Sequence, residues 1–495
     1  MSSPVIHFFE TIDIQYDTSQ AIYIQIAQQI TDAIQRGILP AGSKLPGTRQ
    51  IAQIIGVHRK TVVAAFEELN VQDWVKTYPN KGTYVIENNL TEQRPLKSNY
   101  SKKFTPPSFS FKQTHLFDLP DYPPKTDYFF TDGTPDIRIN AVQQWQKYYT
   151  ATARRKTVWN NQKWYLPHRK PLHAQLSNYL NITRGLRISS DNLLITQNAG
   201  MSLYLLTEIL LDKEDTIAVA EKNYYKANMI FQKNGTKVKA IPTDKEGMNI
   251  DELEKICQES QIRAVYVMPH AHYPTTVSLS KTRRLKLLNL ARQYDFIIIE
   301  DDWDYDLQYE KMSSLPLYSA DDNDRVIYIG EIGKNLIPGY QAGFVAGNEN
   351  LIRTLEQFSH TFTQGENVLM QMTLAEMLEE GEIQKHIKKS KKIYQQRRDY
   401  FGYLLNERFS EDFDFSFPHG GLAFWLESKN RQFNLMKISQ KCLENKLYIP
   451  PNLLYQNQKE SAMRLGFGHL NEQEAEKCLK ILKETITEQS TKVKN

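Results

Sequence analysis

The sequence predicts an α/β protein made of two parts. Near the N-terminus, two short helical segments joined at a glycine precede a pair of strand-like segments. A polar, proline-rich stretch follows, and beyond residue 128 strands alternate with helices, which is typical of a mostly parallel sheet between helical layers. We expect the first part at residues 1–87, a linker at 88–127 and the second part at 128–495, with a large subdomain at about 161–375 and a small one at about 376–495.

The bulk composition is that of a globular protein without a membrane span. The net charge of +4 on 495 residues is too small to indicate a nucleic-acid partner by itself. Cys257, Cys442 and Cys478 are far apart, which argues against a disulfide framework or a metal site and favours a reducing compartment. The apolar runs are too short to cross a membrane and no signal peptide is recognisable, so we expect a cytoplasmic protein.

The first part contains a helix-turn-helix pattern followed by a hairpin. After a helix predicted at 22–36, a short helix starts at Thr48, a candidate N-cap, and runs to Ile55. Gly56 permits a tight turn before a second helix at 58–70. The segments WVKTY and GTYVI alternate around a PNKG turn and predict a wing.

Positive charge is concentrated on this pattern. Residues 33–66 contain no acidic side chain. They contain the basic residues Arg36, Lys44, Arg49, Arg59 and Lys60. A surface of one sign on a nearly neutral protein is expected where a protein meets the phosphates of DNA. Because two amphipathic helices joined at a glycine also occur in ordinary protein cores, the short pattern alone leaves that alternative open.

The segments RGILPAGSKLPGTRQIA, GVHRKTVVAAFEEL and NKGTYV resemble the winged helix-turn-helix domain of the GntR family. The resemblance implies contacts to double-stranded DNA from the first short helix, the start of the second helix and the wing. The residues expected to make them are Arg49, His58, Arg59, Lys60, Thr61, Lys81 and Gly82. His58 replaces the serine usual in the family and Lys81 departs from the usual wing, so the base preference is not inherited.

In the second part, several apolar segments are predicted strands that end in polar residues. They are 192–196, 216–220, 264–269, the run FIII before Glu300, and 326–330. Helices are predicted in QNAGMSLYLLTEILL and KTRRLKLLNLARQY. Ligands of such folds bind at the carboxyl edge of the sheet, so we expect the polar residues to form a site there.

Lys334 follows the last of these strands in a Gly/Pro-rich turn. A solvated loop lysine is the ordinary interpretation, but a lysine in a partly dry cleft can react with an aldehyde such as pyridoxal 5'-phosphate. That cofactor needs a carboxylate at its pyridine nitrogen, a phosphate cradle and an aromatic plane. The candidates are Asp301, the helix-opening turn with Asn198, Ala199 and Gly200, and Tyr224. Taken singly, each could equally be an ordinary strand-end, turn or packing residue.

These pieces, in this order, resemble the fold type I aminotransferase domain, and with the winged domain they resemble the MocR/GabR subfamily of regulators. The resemblance covers nearly the whole chain and includes MPHAHYPTTVSLSKTRRLKLLNLA, IIEDDWDYD, IGEIGKNLIPG, PHGGLAFWL and AMRLGFGHL. It implies that Lys334 binds pyridoxal phosphate covalently, that Asp301 holds its pyridine nitrogen and that Tyr224 stacks on its ring. It also implies that Arg464, with Lys226 nearby, binds the carboxylate of an amino acid.

The chain departs from the family pattern around the cofactor. Gly333 replaces the serine before the lysine, and Gln341 replaces an arginine that binds the phosphate. Trp303 stands where a tyrosine contacts the cofactor's phenolic oxygen, and Ala271 replaces a histidine although His272 remains. These changes weaken the expected grip on the cofactor, and they favour sensing over turnover.

The sequence and the resemblance therefore predict a transcriptional regulator and not an enzyme, with a residual aminotransferase half-reaction left open. It would bind pyridoxal phosphate and an amino acid or amine effector and act on a DNA operator. The resemblance implies that it does so as a head-to-tail homodimer. Two alternatives stay open: an active aminotransferase with a fused DNA-binding head, and a regulator whose aminotransferase-like site holds no cofactor.

Overall fold

The computed structural model describes most of the chain and divides it into two compact units, Met1–Gln113 and Thr114–Asn495. The described residues are 4–16, 20–35, 38–79, 81–86, 110, 124–155, 171–309, 314–333, 336–337, 339–362, 367–429, 433–457 and 460–493. Most of the expected linker, 88–127, lies outside these residues. The domain boundaries expected from the sequence therefore stay a prediction.

The first unit has the predicted helix-turn-helix and wing. Its elements are α1 (Pro4–Glu10), α2 (Ile22–Gln35), α3 (Thr48–Ile55), α4 (Arg59–Val71), β1 (Val75–Tyr78) and β2 (Gly82–Val85). The two strands form an antiparallel hairpin with Val75 opposite Val85. Gly56 ends α3 with a φ of 75°, a left-handed conformation that glycine adopts without strain, so the chain can turn directly into α4.

The helix caps in this unit differ from the sequence prediction. Helix α3 does start at Thr48, but Thr48 is not its N-cap, because the carbonyl of Gly47 already accepts the first helical hydrogen bond from the Ile51 N–H. Helix α4 starts one residue later than predicted because His58 is its N-cap, with Nδ1 accepting the Lys60 N–H at 3.3 Å. The core contains Ile26, Ile30, Leu45, Ile51, Val62, Phe66, Leu69 and Val75.

The second unit is built around a central sheet. Within the described residues its seven strands follow the order β4-β12-β11-β10-β9-β5-β6. In chain order, the described strands of this unit as far as β12, which include three short strands outside the central sheet, are β3 (Tyr128–Phe129), β4 (Leu193–Thr196), β5 (Thr216–Ala220), β6 (Lys237–Ile241), β7 (Thr243–Asp244), β8 (Gly247–Met248), β9 (Ala264–Val267), β10 (Ile297–Asp301), β11 (Val326–Ile332) and β12 (Ala342–Ala346). All neighbouring strands of the sheet are parallel except β12, which is antiparallel to both β11 and β4. Therefore β4, β5, β9, β10 and β11 all end at the same edge.

Helices alternate with these strands, as the sequence predicts. They are α5 (Val142–Arg154), α6 (Pro171–Arg184), α7 (Ala199–Leu210), α8 (Tyr225–Asn234), α9 (Ile250–Glu259), α10 (Lys281–Gln293), α11 (Glu349–Ser359) and α12 (Val368–Glu379). Strand β11 extends two residues past the predicted position 330, because its ladder with β12 continues to the pair Ile332 and Ala342. Strand β9 ends at Val267, two residues before the predicted 269.

A second, smaller sheet belongs to the C-terminal part of this unit. In the described chain its antiparallel strands follow the order β13-β14-β17-β16. Its elements, with the neighbouring short strand, are α13 (Glu382–Phe409), β13 (Phe413–Phe415), β14 (Ala423–Ser428), α14 (Leu435–Glu444), β15 (Leu447–Tyr448), β16 (Leu454–Gln456), β17 (Ser461–Gly466) and α15 (Glu472–Val493). Leu405, Phe424, Leu465 and Leu482 share its core. Among the described helices of the chain, none is long and apolar enough to cross a membrane.

Candidate functional site

A cavity of about 730 Å³ lies at the carboxyl edge of the central sheet. Its walls come from segments that follow or end the strands, including Ala199 after β4, Tyr224 after β5, Asp301 at the end of β10, Glu331 near the end of β11 and Gln341 before β12. The volume is in the range of small-molecule sites. Parallel strands thus bring together residues that are far apart in the sequence.

Asp301 is a buried carboxylate in the wall of this cavity, with 6% of its surface exposed. Tyr266 donates a hydrogen bond of 2.6 Å to Oδ2, whereas Oδ1 has no hydrogen-bond partner among the described residues. Burial raises the pKa of Asp301 to about 7, against the opposing effect of the Tyr266 hydrogen bond. The unpaired oxygen can accept a hydrogen bond from a ligand. The protonated pyridine nitrogen of pyridoxal phosphate is a donor of this kind.

The turn between β4 and α7 forms one end of the cavity. Ala199 and Gly200 line it, and the Ala199 N–H donates to Oε1 of Glu331 at 2.9 Å. Asn198 is the N-cap of α7, and its Oδ1 accepts the Met201 N–H at 2.9 Å. Gly343 of β12 permits this arrangement, because a Cβ there would lie 2.3 Å from the carbonyl carbon of Asn198.

Two aromatic residues predicted at the site also line the cavity, Tyr224 and Trp303. Both are half-buried. The Tyr224 ring packs edge-on against Tyr273, with 5.2 Å between the ring centroids, and burial raises its pKa. The cavity therefore has aromatic surface available to a flat ring.

The two basic residues expected to bind an effector carboxylate differ in position. Lys226 is exposed and lines the cavity. Arg464 on β17 is buried, and it donates to the carbonyls of Asp132 and Pro274 at 2.7 Å each. Arg464 is not one of the lining residues, but Asp132 is, so Arg464 supports the cavity wall.

The remaining cofactor predictions are only partly covered by the structure. His272 is buried, lies 2.7 Å through Nδ1 from Thr275 Oγ1, and is not one of the residues lining this cavity. Burial lowers the pKa of His272 to about 3, so its imidazole is neutral. Lys334 lies outside the described residues. The individual roles assigned to His272 and Lys334, like those of the other predicted site residues, stay predictions.

Tyr266 and Glu331 are site residues that the sequence reasoning missed. Asp301 pairs with Ile329 in the parallel ladder, and Glu331 is two residues further along β11. The side chains of Asp301, Ile329 and Glu331 therefore point to the same face of the sheet. The sequence signal for Glu331 was an acid in an otherwise apolar strand. Assigning that acid to the site required the register between β10 and β11, which the sequence does not give.

In the first unit, the residues expected to contact DNA lie at the starts of α3 and α4 and in the hairpin. Arg49, His58, Arg59 and Lys60 are exposed, and Thr61 is half-buried. In the wing, Lys81 is exposed, and Gly82 has a φ of 111°. A Cβ at Gly82 would lie 2.9 Å from Cε of Lys44, so Gly82 lets this lysine approach the wing closely.

Comparison with known families gives one match for each unit. Residues 22–85 match the bacterial regulatory proteins of the gntR family. Residues 157–482, more than half of the chain, match aminotransferase class I and II.

Several named proteins are similar to this chain over most of its length or in fold. The uncharacterised HTH-type transcriptional regulator YdfD of Bacillus subtilis is 26% identical, over 92% of this chain and 94% of its own. The probable rhizopine catabolism regulatory protein MocR of Rhizobium meliloti is 23% identical, over 80% and 79%. The crystal structure of Pyrococcus horikoshii kynurenine aminotransferase matches with a TM-score of 0.65 and 26% identity, over 73% of this chain and 91% of that one.

The fold and cavity therefore define an aminotransferase-like protein with a winged DNA-binding domain. The chain belongs to the aminotransferase class I and II family. It is a GntR-type regulator fused to an aminotransferase-like domain, consistent with the MocR/GabR subfamily, and its family and structural neighbours support pyridoxal phosphate as the cofactor.

Proposed function

We propose that this protein regulates transcription by coupling occupancy of the cavity to DNA binding. The ligands are pyridoxal phosphate and an amino acid or amine effector. The observation that carries this proposal is the buried Asp301, whose Oδ1 has no partner in the described part of the chain, in a small-molecule cavity of a protein that also has an exposed basic winged helix.

The ligand-binding half of the proposal rests on matching groups along the cavity. Asp301 holds the pyridine nitrogen, Tyr224 and Trp303 provide flat apolar surface, and the N-terminus of α7 faces the phosphate end. When bound, pyridoxal phosphate supplies an aldehyde that reacts with amines, and Lys334 is the amine of this chain assigned to it. Lys226 at the cavity wall is the basic residue placed to meet the carboxylate of the effector, and Arg464 supports that wall by donating to the backbone carbonyl of Asp132.

Regulation rather than turnover is the role we assign to this site. Gln341 lines the cavity at the position of a phosphate-binding arginine and cannot supply its charge. A regulator needs only a ligand that binds two states with different affinity, whereas transamination needs repeated exchange of substrates and protons. Steady conversion of an amino acid and a keto acid by the purified protein would favour the alternative, an active aminotransferase.

The assembly we propose is a head-to-tail homodimer on a DNA operator. Family resemblance supports it, and two DNA-binding heads would then read two half-sites. The cytoplasm, where operators are accessible, is the compartment assigned to it.

Arg59→Ala should weaken DNA binding. Arg59 is exposed at the first position of α4, where a phosphate or base contact is expected. Genomic fragments selected by the wild-type protein should bind the variant about tenfold or more weakly, with a salt dependence shallower by about one unit of slope. Gel-shift titrations at several salt concentrations measure both quantities.

Arg292→Ala is the matched control, because Arg292 is an exposed arginine of α10 in the second unit. It should bind DNA like the wild type. Enrichment of no genomic sequence by the wild-type protein would overturn the proposed function.

A further inference from the structure

Glu331 contacts the N-terminus of α7, the end of the cavity where the cofactor's phosphate is expected from the sequence. It is the second-last residue of β11, is half-buried and lines the cavity. Its Oε1 accepts the N–H of Ala199, the first residue of α7, at 2.9 Å. An internal carboxylate thus sits at the start of a 12-residue helix that opens into the cavity.

The start of α7 favours an anion for two reasons. Its N–H groups have no partners within the helix, and the peptide dipoles place partial positive charge there. Asn198 already accepts the Met201 N–H, and Glu331 accepts the Ala199 N–H. A phosphate entering this end would have to compete with Glu331 for the Ala199 N–H.

The lining of the cavity offers little positive charge to favour a phosphate in this competition. Asp132, Asp301 and Glu331 line it, while Asp136 is paired with Arg138 and Arg397. Of the described residues in the lining, Lys226 is the one basic side chain, and it is exposed. A phosphate at the Ala199 N–H would also lie beside the Glu331 carboxylate, and like charges at short distance repel strongly in a partly buried site.

The fit to pyridoxal phosphate therefore differs between the two ends of the cavity. At the pyridine end, the unpaired Oδ1 of Asp301, within the described structure, is available to a hydrogen-bond donor. At the phosphate end, the helix N-terminus is present but is held by a side chain of the protein itself. The two ends give opposite contributions to affinity.

We propose that Glu331 sets the phosphate preference of this site by holding the N-terminus of α7 in place of a phosphate group. The inference rests on the proposed function and deepens it. Because Glu331 must leave Ala199 before a phosphate can bind there, the cofactor is held weakly and exchanges. The site then responds to the concentration of pyridoxal phosphate and discriminates little between it and pyridoxal, which carries no phosphate.

Calorimetric titration of the full-length protein with pyridoxal phosphate and with pyridoxal tests this proposal. In the wild type the two dissociation constants should agree within about threefold. Glu331→Ser should tighten pyridoxal phosphate binding about tenfold or more, since a charge-assisted hydrogen bond to phosphate replaces repulsion, and should leave pyridoxal binding within about threefold.

Two further variants make the result independent of folding defects. Glu331→Gln keeps the size and an oxygen acceptor for the Ala199 N–H but removes the charge, so it should also gain preference for the phosphate. Glu259→Gln changes an exposed glutamate at the end of α9 and should behave as the wild type. If Glu331→Ser does not fold, Glu331→Gln alone decides.

The outcomes separate this inference from the proposed function. Ligand binding with an unchanged phosphate preference in both Glu331 variants would overturn the inference and leave the regulator proposal in place. A wild type that prefers pyridoxal phosphate by about a hundredfold or more would overturn it as well. If neither compound binds any variant, both the proposed cofactor role and the inference fail, while selection of genomic DNA still tests the DNA-binding role.

Discussion

At the end of β10, Asp301 combines deep burial with incomplete hydrogen bonding. Tyr266 satisfies one carboxylate oxygen, and the other has no partner in the described parts of the chain. An ionised carboxylate in this position is costly, because burial removes water without supplying an opposite charge. The cost is reduced when a ligand donates a hydrogen bond or a positive charge, which connects the chemistry of this residue to binding.

Asp301→Asn should change stability in a pH-dependent way. The folded-state pKa of Asp301 is raised to about 7, so the protonated acid contributes stability that is fully present below about pH 4 and lost as the pH rises through about 7. Without ligand, the melting temperature of the variant minus that of the wild type should therefore be larger at pH 8 than at pH 6. Thermal denaturation followed by circular dichroism measures this difference in melting temperature at each pH.

Asp322→Asn, at an exposed aspartate, is the control for this comparison and should give the same small difference at both pH values. A pH-independent difference for Asp301→Asn would show that Asp301 does not titrate in the folded protein as described.

Sequence reasoning predicted Asp301 and Tyr224, which line the cavity, but did not predict Glu331, and the reason is geometric. Asp301 ends an apolar run and was recognisable as a strand-end acid. Glu331 lies inside a strand that extends past its predicted end, and its partner Ala199 is 132 residues away in sequence. Such a contact depends on the strand order and register, which the sequence pattern does not specify.

At the scale of elements, a buried polar network connects α6 with β11 and with the residue that follows β10. Arg184 at the end of α6 donates from Nη1 to the Tyr328 hydroxyl at 2.6 Å, and that hydroxyl donates to Asp302 at 3.0 Å. His270 Nδ1 lies 3.0 Å from the same carboxylate. Asp302 directly follows Asp301, so this network fixes the strand end on which the cavity depends.

Arg184→Met should be strongly destabilising. The arginine is fully buried, and its guanidinium also lies 4.8 Å from the Tyr305 ring centroid and 3.3 Å from Asp306. Its removal breaks the ion pair with Asp306 and takes a nearby positive charge from the buried Asp302. We expect the free energy of unfolding to fall by about 3 to 5 kcal/mol. Urea denaturation of the full chain measures this loss.

Arg292→Met, at an exposed arginine of α10, should cost less than about 1 kcal/mol and serves as the control. A similarly small loss for Arg184→Met would mean that the network does not hold the strand end.

Element types were predictable from the sequence where the hydrophobic pattern was strong. The segment TIAVA forms β5 over the predicted residues, because a short apolar run buried on both faces has few alternatives to a central strand. The cap of α3 was less predictable. Thr48 has the side chain of a typical N-cap, but the local backbone places Gly47 in that position.

At the scale of the whole molecule, one chain combines a DNA-binding unit with a unit of an enzyme fold. The fold of each unit could be predicted from sequence patterns and the resemblance, and residues 22–85 and 157–482 match the gntR family and aminotransferase class I and II. The effector could not be predicted, because its recognition depends on the shape and charge of a cavity assembled from distant segments. The acidic lining of the described cavity is the new information about that ligand.

The central claim is that occupancy of the cavity alters DNA binding, and one titration tests it most directly. The affinity of the full-length protein for a selected genomic fragment is measured with and without saturating pyridoxal phosphate, for the wild type and for Asp301→Ala. The account predicts a change of about fivefold or more in the wild type and none in the variant, with equal affinities without ligand. An unchanged affinity in the wild type, or the same change in both proteins, would contradict it.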